Sequence, residues 1–165
     1  MGARMGFAWS RLLLLLSFAL FWGGLTFYTG FVVRIAHDVL DNPMDGGLIT
    51  QRVTVLLQIL GGITVLLMLW NAFQVSRKHR RFGMALALCA IVLGVALVGL
   101  TIVHGQLDAV IDVNAYKIVD RDAFVIGHRR YNQLTTVEWI SALLYLPITI
   151  AAWQNVDKDQ GLNAS

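Results

Sequence analysis

Four long apolar stretches divide the chain, with polar connections between them. The third is the plainest. FGMALALCAIVLGVALVGLTI, residues 82–102, runs 21 residues without a charge. That is enough to cross about 30 Å of hydrocarbon as a helix. The first stretch covers residues 9–33 and opens with RLLLLLSFALFWGG. It is longer than a signal-peptide core of about 7–15 residues and shows no small-residue cleavage exit, so it reads as an uncleaved transmembrane helix. The second covers residues 53–75 and carries Gln58 with Gly61 and Gly62 in its body. Trp70 and Phe73 suit the aromatic belt at a membrane interface. The fourth differs. A stripe at steps of four and three begins at Phe124 and continues through His128, Tyr131, Thr135, Glu138, Ala142 and Tyr145, which is one face of a helix. A helix over 120–153 is about 50 Å long and overshoots the hydrocarbon.

These elements predict an all-α fold: a single domain, residues 1–165, forming an integral membrane up-down four-helix bundle with the fourth span extended on one side. Composition agrees. The chain is 57% hydrophobic and 14% charged, against about 25% charged in a soluble domain. Gly23, Gly24, Gly61, Gly62, Gly94 and Gly99 lie in the spans and read as close-packing devices. Cys89, the sole cysteine, sits inside an apolar run and reads as structural.

Charge sets the sidedness. If the spans alternate, one side carries seven Lys/Arg against two Asp/Glu, and the other six against eight. The basic side, with both chain ends and the Arg77, Lys78, Arg80, Arg81 loop, is expected in the cytoplasm. Arg129 and Arg130 oppose that rule locally. The pI near 9.4 reflects this loop rather than a nucleic-acid surface, so no nucleic-acid partner is expected. With no transit or sorting element visible, the expectation is a bacterial inner membrane, with the lipid bilayer and a second copy or another membrane protein as partners.

Candidate chemistry collects on the outer side. His37 ends the first span, His104 and Asp108 end the third one turn apart, and His128 enters the fourth. Together they form a candidate layer for a divalent metal ion such as zinc, iron or manganese. The same groups also fit a hydrogen-bonded network locking the helix ends, or unconnected polarity at wet helix ends. Asp120 fits an N-cap of the fourth helix, and 41–47 reads as turn. His79 reads as solvated. Glu138 lies inside the apolar part of the fourth span, where ionisable residues face the bundle interior or find partners. It fits a proton carrier, a cation ligand with Gln58, or a pair with Arg52 or Tyr131. Glu138 and Tyr131 are therefore the candidate catalytic residues. No Rossmann fingerprint, P-loop, CxxC or zinc-finger spacing occurs.

Three pieces, FWGGLTFYTGFVV in the first span, HGQLDAVID after the third and FVIGHRRYNQLT entering the fourth, carry a resemblance. The chain resembles the DUF4149 or transmembrane-protein-205-like family of small four-span membrane proteins across most of 10–153. The resemblance implies that His128 and Tyr131 take the places of that family's late H-x-x-Y pair. It implies an architecture but no reaction. A fainter likeness is to the anthrone-oxygenase-like membrane family. Three function classes stay open: a structural, transport-assisting or partner-binding membrane protein; a metal-dependent oxidoreductase acting on a quinone-like or aromatic substrate; and a proton-coupled carrier using Glu138.

Overall fold

The computed structural model of the protein describes residues 2–112, 115 and 117–162, and within these all side chains except those at 2–7, 37, 43, 44, 160 and 162. Four helices account for nearly all of it. Helix α1 has three α segments, Gly2–Phe18, Gly24–Phe27 and Val33–Val39, joined by two π turns, Ala19–Gly23 and Tyr28–Val32. Helix α2 is Pro43–Ser76, α3 is Arg80–Ala109 and α4 is Arg121–Leu162. Each contains a stretch long and apolar enough to cross a membrane: Ala8–Ala36, Asp45–Ser76, Arg80–Ala109 and Arg121–Asp159.

The buried positions explain why four such helices associate. Leu14, Phe18, Phe21, Leu25 and Tyr28 line one face of α1. Gly83, Leu86, Ala90, Leu93, Ala96, Leu100, Val103 and Leu107 line one face of α3. Both follow steps of three and four, the spacing of a left-handed bundle seam. The faces turned away from the seam are equally apolar: Leu56, Leu66, Leu88 and Val95 are each more than 60% exposed. A helix apolar all round, yet half uncovered, is matched to lipid rather than water.

Consecutive helices are neighbours, and side chains of α1 and α4 close the ring. Trp139 Nε1 donates to Thr26 Oγ1 at 2.9 Å. Arg11 grips Asp157 through its two terminal guanidinium nitrogens at 2.8 and 2.9 Å and lies 4.9 Å over the Trp153 ring. Ser17 and Thr64 join α1 to α2 at 2.7 Å. These pairs place the start of α1 beside the end of α4, as antiparallel neighbours require.

The helices outrun the expected spans. Residues 43–47 are the first turns of α2, not a loop. Pro43 opens the helix, where its missing N–H costs nothing, and Asp45 lies in the first turn, where the helix dipole favours an acid. Helix α4 has 42 residues, about 63 Å at 1.5 Å per residue. Asp120 Oδ1 accepts the Ala123 N–H at 3.0 Å, the capping geometry expected of it. Pro147 lies inside α4; such breaks in the hydrogen-bond ladder are tolerated within a membrane bundle. Between α3 and α4, β1 (Ile111–Asp112) pairs antiparallel with β2 (Lys117–Ile118), and Asp112 Oδ1 accepts the Ala115 N–H at 2.9 Å. The sequence reading anticipated no hairpin there. His79, read as solvated, has Nε2 3.2 Å from Asp159 Oδ2, tying the α2–α3 turn to the end of α4.

The two π turns of α1 bear on the site. A π turn shifts the backbone donor one residue along and loosens the ladder. Thr26 Oγ1 donates to the Trp22 carbonyl and Thr29 Oγ1 to the Leu25 carbonyl, each at 2.7 Å. Both hydroxyls thereby supply carbonyls at the point where the ladder is loosened. The stretch between the turns holds Leu25, and the first turn holds Phe21; both face the bundle interior.

Candidate functional site

Tyr131, Glu138 and Tyr145 are seven residues apart on α4, so one face presents all three to the bundle axis. Thr54 and Gln58, one turn apart on α2, face the upper part of that stripe. Between them lies a cavity of about 20 Å³, room for about one water-sized guest. Its polar wall is Thr54, Gln58, Tyr131, Thr135 and Glu138; Phe21 and Leu25 of α1 and Leu97 and Leu100 of α3 supply apolar wall.

Glu138 is 2% exposed. Its Oε1 has no hydrogen-bond partner among the described residues, and neither does Gln58 Nε2. No cationic side chain lines the cavity. Arg52, considered as a partner from the sequence, is exposed to the surroundings instead. Thr54 Oγ1 and Tyr131 Oη, 3.2 Å apart, close the end of the cavity nearest the β hairpin. Thr135 Oγ1 donates to the Tyr131 carbonyl at 3.0 Å and keeps its lone pairs. Buried polar atoms are normally satisfied. An acceptor and a donor left over on one small cavity therefore mark it as a place for a guest.

Deeper in the bundle α2 and α4 are joined by paired polar groups, although Thr149 Oγ1 lacks a partner among the described residues. Asn71 Nδ2 donates to Tyr145 Oη, Tyr145 Oη donates to the Met68 carbonyl, and Trp153 Nε1 donates to Asn71 Oδ1, each at 2.9 Å. These three bonds among four residues weld α2 to α4. Their anchor, Asn71, was missed in the sequence reading, although an amide within LLMLWNAF was the available signal.

The outer histidine layer does not assemble among the described residues. His104 Nε2 and Asp108 Oδ2 do meet, at 3.6 Å across one turn of α3, beyond hydrogen-bond range. No third His, Cys, Asp or Glu joins any such pair among the described residues. His128 is exposed and stacks between Phe124 and Tyr131, with centroids 5.6 and 6.4 Å away. The reason lies one residue earlier. Gly127 is the buried position at this level, and a Cβ there would stand 2.8 Å from Leu107 Cδ2. Helix α4 thus leans on α3 through a glycine and turns His128 outward. The side chain of His37 lies outside the described residues. The sequence stripe therefore faces inward from Tyr131 onward, and not at His128.

No family model, curated protein or solved structure matches the chain.

Proposed function

We propose that this is a transport-assisting membrane protein whose working group is Glu138, taking up and releasing a proton inside the bundle. The observation that carries the reading is a carboxyl group 2% exposed, one oxygen unpartnered, on a cavity without a cationic wall. Burying an uncompensated carboxylate costs several kcal/mol, on the order of the penalty for any unpaired buried ion. A carboxylate buried for structure alone would carry a counter-charge. The smallest species that brings positive charge to Glu138 is a proton. The loosened α1 wall beside the cavity supports the same reading, because π turns recur at working sites.

The reading extends to setting and partners. The basic α2–α3 turn, the start of α1 and the end of α4 face the cytoplasm of a bacterial inner membrane, as the charge distribution favours. Four helices make a narrow bundle, so a small-molecule pathway coupled to Glu138 runs between two copies of the chain.

A lipophilic carbodiimide tests Glu138 directly. A protonated carboxyl adds across one N=C bond of the reagent, its proton passing to nitrogen, and the O-acylisourea rearranges to a stable N-acylurea with nothing lost. Treated membranes are expected to yield one adduct at Glu138, identified by peptide mass, with a rate that falls as pH rises. Tyr131 is the other titratable side chain on the cavity wall; α1, α2 and α3 contribute none. Glu138→Gln is expected to abolish the adduct. A wild-type protein unlabelled at Glu138, or labelled at a rate independent of pH, would overturn the reading.

A further inference from the structure

The same cavity has a second capacity, written in its donor atoms. Its polar wall offers the Glu138 carboxylate, the Gln58 side-chain amide and the hydroxyls of Thr54, Thr135 and Tyr131. Every one supplies oxygen once the Gln58 amide turns its carbonyl inward, a half-rotation about its terminal bond that exchanges donor for acceptor. We propose that the cavity binds one dehydrated monovalent cation of the alkali class, sodium or lithium, in competition with the proton. The inference rests on the reading of Glu138 as a working carboxyl and adds the class of its ligand.

Three observations choose this class. First, the wall has hard oxygen donors and no imidazole or thiolate, which disfavours the softer transition metals. Second, one carboxylate faces the cavity. A monovalent ion is neutralised by it, whereas a divalent ion leaves a net charge in a low-dielectric interior. Magnesium also sheds its water reluctantly, and about 20 Å³ leaves no room for an ion with its shell. Third, Gln58 Nε2 has no partner among the described residues holding the amide in its present orientation. Glu138 and Gln58 come from different helices, so a cation held by the Glu138 carboxylate and the rotated Gln58 carbonyl draws α2 and α4 together. Ion binding and helix closure are then one event. The Thr54–Tyr131 contact at 3.2 Å is the point on the outer side that must part for the ion to enter.

The test uses the purified full chain in detergent at constant ionic strength, with choline chloride as the reference salt. Sodium or lithium is expected to raise the melting temperature saturably, as any ligand selective for the folded state does. Saturating sodium is expected to slow carbodiimide labelling of wild-type Glu138 at least tenfold, with potassium and magnesium far weaker. Gln58→Leu and, more gently, Thr135→Val are expected to remove sodium protection, each read as the ratio of labelling in sodium to labelling of the same variant in choline. Labelling that proceeds equally in sodium and choline would overturn the cation inference and leave the proton reading standing. Magnesium matching sodium would overturn it too, as a screening effect. No labelling with no sodium-dependent melting would sink both.

Discussion

Gly83→Ala is expected to destabilise the bundle by about 3 kcal/mol, the upper part of the range for forcing extra volume into a packed interior. A Cβ at this position would stand 2.5 Å from Ser76 Cα and 2.7 Å from Ser76 N. The obstacle is backbone, which cannot rotate aside. It lies at the tightest connection of the fold, where α2 ends at Ser76 and α3 begins at Arg80. There the Lys78 and His79 N–H groups both return to the Val75 carbonyl, at 3.0 and 2.8 Å. Adding one methyl group must open the turn or slide one helix along the other. Gly62→Ala is the matched control. Nothing lies within 4 Å of a Cβ there, so relief of glycine's backbone entropy is expected to stabilise the helix by about 0.5–1 kcal/mol. Unfolding in mixed micelles by a denaturing detergent measures both. Equal effects of the two substitutions would contradict the packing described.

Asn71→Leu should be the next most damaging change, at about 2 kcal/mol for stranding a donor and an acceptor in the interior. Trp153 Nε1 loses its acceptor, and Tyr145 Oη loses the donor that faces it. The residue is 6% exposed and Tyr145 1%, so water offers no replacement. Tyr145→Phe alone is expected to cost less, because it strands the Asn71 Nδ2 donor but leaves the Trp153–Asn71 bond in place. The double substitution should fall well short of the sum, since both act on one network. Tryptophan fluorescence during unfolding reads this out, with Trp153 the affected reporter. Additive effects would show that Asn71 and Tyr145 stabilise the protein separately.

The architecture was legible because lipid imposes a coarse rule. Each span needs about twenty apolar residues, and residues 82–102 announce one by themselves. Helix ends were less legible. Pro43, Asp45 and Gly47 use the vocabulary of turns, yet a proline at the first helical position also suits a helix start. The seven-residue spacing of Tyr131, Glu138 and Tyr145 correctly gave the inward face of α4. One step earlier the pattern misled, since Gly127 rather than His128 takes the buried position. Periodicity scores large residues and overlooks the glycine that lets two helices touch. The same blindness hid Gly83, while a Cβ added at Gly23 or Gly62, conspicuous in their pairs, would meet nothing within 4 Å. The meeting of Glu138 with Gln58 was legible as an option. Its neighbours Thr54 and Thr135 were not distinguishable from ordinary span residues, because a threonine in lipid can always satisfy itself on its own helix.

An enclosed carboxyl between four traversing helices requires the α2–α3 turn and the β hairpin to lie on opposite faces of the membrane. Cysteines placed one at a time by Arg80→Cys and Lys117→Cys, in a Cys89→Ser background, measure this with an impermeant maleimide on sealed vesicles of known orientation. With the cytoplasmic face enclosed, position 117 should label at once and position 80 only after lysis. Labelling of both positions from the same side would dismantle the bundle, and the interior site with it.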